Sequence, residues 1–275
     1  MRLKRRFEKA LGQRISSWTE TGILRDACAY ALGGGGKRLR PLLVLAIAEA
    51  VGKGREAMPA AIAVEFFHTA SLIADDLPAM DNDEWRRGRP ALHKAFPEGA
   101  ALLASYALLS FGYGALAENG RLFGGEGGEK RTLIALETVS RCAGLQGATQ
   151  GQCLDLYYPP KTMGELLQIY EYKTTTLFEV CFTLGWLFGG GELGLLDAVK
   201  QCARHLGIAF QIADDWGDLT GVNIRSVCDE REAASLFERE KGLFERGLQE
   251  VGLWTPPFQQ IMSRLKLPEP LRGSS

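Results

Sequence analysis

Six aspartates fall in two short clusters, Asp75-Asp76-Leu77-Pro78-Ala79-Met80-Asp81 and Asp214-Asp215-Trp216-Gly217-Asp218. Adjacent carboxylates repel, and they are costly at the end of an apolar segment unless cations offset them. Clusters that offer oxygen donors alone suit Mg²⁺, which keeps waters and takes phosphate oxygens as its remaining ligands. Each cluster admits two readings, a solvated acidic helix end or a metal-holding wall. A single Asp-Asp pair favours the first. Two clusters, each preceded by an apolar run (EFFHTASLIA and LGIAFQIA), favour the second.

Spacing sharpens that reading. At about 100° per residue, Asp214 and Asp218 share a helix face, with Gln211 and Asp215 beside them. Asp75 and Asp81 would lie about 240° apart on a continuous helix, so they converge only if the helix ends, and Pro78 supplies the break. The expected outcome is two carboxylate groups facing each other across a cavity, able to hold several Mg²⁺ ions against one diphosphate. His68 precedes Asp75 by two turns on nearly the same face. A lone histidine is as a rule a satisfied core residue, and this alignment is what makes His68 a candidate. His93 and His205 have no such alignment.

Basic groups complete an anion site. Gly33-Gly34-Gly35-Gly36-Lys37-Arg38-Leu39-Arg40 sets four glycines and three cations just before a helix that Pro41 can open. Glycines let the backbone approach an anion, helix N-termini favour one, and arginine offers a bidentate fork. It is not the phosphate loop of nucleotide hydrolases, because Arg38 stands where that motif needs Ser or Thr. Taken alone it also fits a flexible basic loop. Arg86-Arg87-Gly88-Arg89 follows the first acidic cluster, as diphosphate contacts or as charge balance for Asp81, Asp83 and Glu84. Lys173-Thr174 opens an uncharged segment, where the lysine either faces a cavity or snorkels outward.

The elements that must hold these groups read as helices. Apolar runs of ten or more residues dominate, and regular strand alternation is absent from the pattern. Pro59 opens the run that Pro78 closes, Gly124 to Lys130 (GGEGGEK) reads as a flexible loop, and Pro159-Pro160 marks another break. The 275 residues, 46 % hydrophobic and 24 % charged, suffice for a substantial core, read as one all-α domain over 1–275. A net charge of −1 gives no global pull toward nucleic acid or anionic lipid. The basic N-terminus passes straight into an amphipathic pattern and reads as an exposed first helix. Gly99 to Ala117 runs 19 residues without a charge, but its Ala, Gly and Ser content and lack of basic flanks read as a buried helix, not a membrane span. Six cysteines without metal-type spacing suggest reduced thiols and a cytoplasmic protein.

Together these stretches resemble the trans-isoprenyl diphosphate synthases, the polyprenyl synthetase family of farnesyl and geranylgeranyl diphosphate synthases. GGGKRLRP, HTASLIADDLPAMDNDEWRRGRP, GQCLDL, KTTTLFEV and FQIADDWGD carry the resemblance, in that order, from about Gly33 to Gly221. The resemblance implies an all-α helical bundle around a central active-site cavity, usually a homodimer. Asp75 and Asp81 would hold two Mg²⁺ ions and Asp214 a third, with Asp76, Asp215 and Asp218 in support. Lys37, Arg40, His68 and Arg87 would bind isopentenyl diphosphate, while Arg86 and Lys173 would contact the allylic diphosphate. Thr174 and Gln211 would place oxygens near the developing cation. The implied reaction is ionisation of the allylic diphosphate, attack by the alkene of isopentenyl diphosphate, and loss of a proton to the released diphosphate.

The sequence also departs from the family. A lysine-containing loop usually follows the second acidic cluster; here GVNIRSVCDEREAA follows, with no lysine before Lys241 and Arg225 as the candidate substitute. Ala74 stands where a histidine is common. Ala70, five residues before Asp75, is small where fifteen-carbon enzymes often carry an aromatic floor. With Ser71 it points to a deeper cavity and a twenty-carbon product, unless Tyr106 or Phe111 restores the floor. The alternatives are a non-catalytic or regulatory subunit, favoured by the missing lysine loop, and a terpene cyclase. The intact second cluster and Lys37 with Arg40 count against the cyclase.

Overall fold

Each long apolar run becomes a helix. The computed structural model describes residues 2–217 and 224–267, and the strands among them are two residues long. Tertiary contacts gather the chain into two compact units, 1–136 with 184–190, and 137–183 with 191–275.

The first unit holds α1 (Arg2–Ser16), α2 (Ile23–Gly33), α3 (Leu39–Val51), α4 (Met58–Asp75), β1 (Trp85–Arg86), β2 (Arg89–Pro90), α5 (Leu92–Ala95), α6 (Glu98–Phe123) and most of α7 (Gly125–Ala143). Pro41 and Pro59 sit in the first turns of α3 and α4, where a missing N–H costs nothing. α4 is buried nearly all round, and α6 packs along it. Asn119 of α6 accepts from Ala60 N and donates to Glu56 O, both at 2.9 Å, and Ser105 Oγ donates to Ala70 O at 2.9 Å. Each large apolar side chain buried here, Phe66 or Leu108 for example, contributes about 1.5–3 kcal/mol.

Two expectations need correction. The uncharged stretch inside α6 is buried on one side only, through Ala101, Ala104, Ser105, Leu108, Gly112 and Ala115. Leu103 and Tyr106 are more than half exposed on the other side. α6 is long and apolar enough to cross a membrane, yet its buried Asn119 anchors it to α4 by hydrogen bonds. Gly124 to Lys130 is not a loop. Only Gly124 and Gly125 turn the chain (φ 78° and 61°), and α7 already runs through Gly127 and Gly128. A side chain on Gly128 would lie 2.5 Å from the Gly120 carbonyl, so these glycines serve close helix approach rather than flexibility. The hairpin β1–β2, absent from the sequence pattern, turns through Arg87 and Gly88, both left-handed as a two-residue turn requires.

The second unit holds α8 (Ala148–Tyr157), α9 (Met163–Ile169), a π-helical turn (Tyr170–Thr175), the start of α10 (Thr176–Gly189), α11 (Leu196–Gly217), α12 (Ile224–Val227), α13 (Glu230–Glu250) and α14 (Pro256–Arg264). Pro159-Pro160 breaks the chain as expected, and Thr162 with Glu165 caps α9 reciprocally. Phe182 packs between Phe244 and Phe258, with ring centroids 6.1 and 5.9 Å away. Between α11 and α13, His205 Nδ1 lies 2.6 Å from the buried Glu240. None of the six cysteines forms a disulfide, and burial pushes Cys142 and Cys202 up to about 12, so both stay thiols.

Candidate active site

In the first unit α4 ends at Asp75, since Pro78 has no N–H to offer the Ala74 carbonyl. The chain then folds back. Met80 N donates to Leu77 O at 2.9 Å, Asn82 N donates to the same carbonyl at 3.2 Å, and Asn82 is left-handed (φ 53°). The result is a backbone hydrogen bond from Asp81 N to Asp75 O, 2.9 Å, which brings the main chain of the two predicted metal ligands together. Asp75 is half-buried and Asp81 exposed. Asp76 points elsewhere. It is buried, receives Arg86 Nε at 2.8 Å and also Arg86 Nη2, and Arg86 Nη2 further bonds Asp83 Oδ2 at 2.7 Å. Burial raises the Asp76 pKa, against the pull of Arg86. Asp76 is thus seated as the support of Arg86.

The basic groups gather in the same unit. The loop from Gly34 to Arg38 lies between α2 and α3, with Lys37 exposed and Arg38 buried and left-handed (φ 54°). Arg87 Nη1 donates to Gly35 O at 3.0 Å. A side chain on Gly36 would meet the Arg87 guanidinium at 3.1–3.3 Å, which explains a glycine there. Arg40 Nη1 lies 3.5 Å from His68 Nε2. Burial first, then the charges of Arg40, Arg87, Arg38 and Arg86, hold His68 far below its ordinary value, so the neutral ring can accept from Arg40. Ser71 Oγ donates back to His68 O at 3.0 Å, and Ala70 is fully buried. A pocket of about 40 Å³, room for a few waters, is lined by Thr69, Leu72, Arg86, Arg87 and Arg89.

In the second unit the π-helical turn carries Lys173 and Thr174. Such single-turn bulges re-aim side chains, and two glycines let neighbours close on this one. A side chain on Gly151 of α8 would lie 2.6 Å from Lys173 Cα, and one on Gly207 of α11 would lie 2.8 Å from Thr175 Cα. Lys173 forms an ion pair with Asp155 of α8. Thr174 Oγ1 donates to Gln211 Oε1 at 2.7 Å, Gln211 Nε2 donates to Asp215 Oδ1 at 2.7 Å, and Tyr170 donates to Asp215 Oδ2. Burial raises the Asp215 pKa, opposed by Tyr170 and Gln211, and burial then Asp215 push Tyr170 upward, so its hydroxyl stays a donor. Asp214, one residue earlier, is exposed. Asp218 lies outside the described residues, as does the side chain of Arg225.

Sequence reasoning missed several supporting groups. Glu65 is buried on α4 against Arg38 and 3.6 Å from Arg87; a lone carboxylate inside an apolar run was its signal. Asp155 stands within GQCLDL, whereas Tyr170 left no sequence signal because the π turn is not written in periodicity. Among the described residues, no three His, Cys, Asp or Glu side chains make a ready metal cage. Asp75 and Asp81, joined through the backbone, offer carboxylate oxygens only, a donor type that fits Mg²⁺ completed by water and phosphate.

A family model described as polyprenyl synthetase matches residues 21–225. The chain is 38 % identical over 223 residues to a farnesyl diphosphate synthase of Geobacillus stearothermophilus, covering 79 % of this chain and 73 % of that protein. It is 40 % identical over 204 residues to the heterodimeric geranylgeranyl pyrophosphate synthase large subunit 2 of Arabidopsis thaliana, covering 72 % of this chain and 52 % of the plant protein. A crystal structure of a geranyltransferase from Legionella pneumophila superposes with a TM-score of 0.86 at 27 % identity, over 96 % of this chain and 94 % of that one. An FPP/GFPP synthase from Zymomonas mobilis gives 0.83 at 29 %, over 96 % and 98 %. Both are solved structures of the all-helical isoprenoid synthase fold, the fold class expected from the sequence.

Proposed function

The chain belongs to the polyprenyl synthetase family, and from that premise we propose that it condenses isopentenyl diphosphate with an allylic diphosphate by Mg²⁺-assisted ionisation, leaning to geranylgeranyl over farnesyl diphosphate. The reaction class, short-chain prenyl transfer, is that of its relatives. One feature supports the mechanism most: the fold-back that joins Asp75 to Asp81 lies in the same unit as the Arg40–His68 pair and the Arg87-braced glycine loop.

In this proposal Asp75 and Asp81 would hold two Mg²⁺ ions and Asp214 a third. Bound there, such ions would supply positive charge to offset that of the departing diphosphate. Arg86 and Lys173 contact the allylic diphosphate, each steadied by a carboxylate (Asp76 and Asp155). Lys37, Arg40 and Arg87 grip isopentenyl diphosphate, and neutral His68 keeps Arg40 aimed. The Thr174 hydroxyl spends its proton on Gln211, which turns a lone pair of Thr174 toward the developing allylic cation. The alkene attacks that cation, and the proton lost in closing the new double bond goes to the released diphosphate. Apolar surroundings limit capture of the cation by water.

Ala70 and Ser71 keep their positions small, Tyr106 is exposed, and Phe111 stacks on Trp18 at 5.0 Å, which supports the longer product. A single domain, a homodimer joined through the exposed apolar side of α6, and a cytoplasmic location, in keeping with six cysteines outside disulfides, belong to the same proposal. Incubation of the full chain with labelled isopentenyl diphosphate, geranyl or farnesyl diphosphate and Mg²⁺ tests it. An elongated diphosphate is expected; a folded protein that yields none refutes it. The second reading, a regulatory subunit, draws on the missing lysine after the second acidic cluster, and elongation that appears only with an added partner synthase would favour it.

A further inference from the structure

We propose that the N-terminal helix is part of the substrate site: Lys4 and Glu8 of α1, with Glu65 of α4, are positioning residues that clamp the glycine loop for isopentenyl diphosphate. The inference rests on the functional reading above and extends it to residues outside the five family motifs.

Lys4 and Glu8 stand one turn apart on α1 and so share a face. Phe7 and Leu11, almost fully buried, seat the helix. From that face Lys4 Nζ donates to the Gly36 carbonyl at 2.9 Å, and Glu8 Oε1 accepts from Arg38 Nε at 3.0 Å. Arg38 is held on its other edges too: Nη1 bonds Glu65, and Nη2 donates to Leu32 O at 2.7 Å. With its side chain 1 % exposed, Arg38 is too deep to receive a diphosphate. What it fixes is the chain on either side of it. A non-glycine residue at φ 54° occupies a conformation that persists only where the surroundings hold it. Lys37 precedes Arg38 directly and Arg40 follows two residues on, so both predicted diphosphate ligands inherit their direction from this one buried guanidinium.

Burial decides the energetics. An exposed ion pair is worth little. Here one partner is buried between two carboxylates, and burial pushes Glu65 upward while Arg38, Arg87 and Arg40 pull it back. Removing either carboxylate leaves a buried guanidinium undercompensated. The loop can relieve that by releasing Arg38, and with it the aim of Lys37 and Arg40. The allylic side has no such tie to the loop in the first unit, since Arg86 is held by Asp76 and Asp83 instead.

The test compares the wild-type chain with Glu8→Gln, Lys4→Ala and Glu65→Gln in steady-state kinetics, alongside calorimetric titration with isopentenyl diphosphate. Because Glu65→Gln can fail to fold, Glu8→Gln bears the decision. Its KM for isopentenyl diphosphate is expected to rise about three- to tenfold, with kcat and the allylic KM within about twofold, and Glu8→Asp to recover part of the loss. A merely structural role would lower the melting temperature or kcat and leave the two KM values in step, and that result overturns the clamp. If the wild type binds isopentenyl diphosphate and Glu8→Gln binds it equally well, the clamp is wrong and the function stands. If the wild type binds none, both fall together.

Discussion

Gly151→Ala should impair turnover by displacing the backbone that carries Lys173 and Thr174, leaving both side chains chemically intact. The added methyl would sit 2.6 Å from Lys173 Cα and nearer still to its nitrogen. Non-bonded carbons settle at about 3.5–4.0 Å, so α8 or the π-helical turn must yield by about 1 Å. Backbone, unlike a long side chain, cannot swing aside. Overpacking of this kind costs about 1–3 kcal/mol, and in a chain of this size each kcal/mol lowers the melting temperature by roughly 2–4 °C. The kinetic effect is of similar size in free energy but gives a clearer readout. Lys173 and the adjacent Thr174 move with the turn, and a 1 Å misplacement of catalytic groups costs about 100-fold in kcat. Gly12→Ala is the control: Gly12 is exposed on α1 with open space around its Cβ position, and alanine there gains up to about 1 kcal/mol of helix propensity. Thermal melts and steady-state kinetics on both variants decide the matter. Wild-type kcat in Gly151→Ala would refute the reasoning, as would a kcat loss no greater than the loss of folded protein.

Glu240 lies below its ordinary value of 4.5, because hydrogen bonds from His205 and Arg239 outweigh the burial that acts to raise it. A depressed carboxylate stabilises the fold above its unfolded value and loses that contribution as pH falls through the folded one. Glu240→Gln should therefore cost about 1–3 kcal/mol in urea unfolding at pH 7, with the gap from wild type shrinking below pH 4.5. Ala70→Phe should shift the product from twenty carbons toward fifteen, read by chromatography of the dephosphorylated products; an unchanged distribution would remove Ala70 from the floor. Leu103→Glu combined with Tyr106→Glu, at positions 54 % and 57 % exposed, should convert a dimer to a monomer in light scattering with the melting temperature nearly kept.

The fold class was legible because helices announce themselves through long apolar runs bounded by proline, as Pro41, Pro59 and Pro159 do. The Asp75–Asp81 convergence was legible for the same reason, since a proline that ends a helix also dictates where the chain turns. Glycines were harder. In GGEGGEK the composition suggested a loop, but Gly128 is there so that α7 can pass the Gly120 carbonyl, a tertiary demand that no local pattern carries. The extent of burial on α6 was equally hidden, because apolar residues on both faces do not say which face is covered. At the site, ligand-type residues stood out by charge, whereas their supports did not. Arg38 looked like one more phosphate cation until Glu8 and Glu65, distant in sequence, were seen to enclose it. The Thr174–Gln211–Asp215–Tyr170 chain depends on a π turn, and a sequence read at 3.6 residues per turn has no means of finding one.

Metal dependence of elongation by the 275-residue chain tests the central claim most directly. The mechanism requires that chelation by EDTA stop formation of the elongated diphosphate and that added Mg²⁺ restore it. Asp75→Asn and Asp214→Asn should each lower kcat by about 1,000-fold or more while retaining the wild-type melting temperature. Elongation that persists without divalent ions, or that survives at near wild-type rate in either variant, would contradict it.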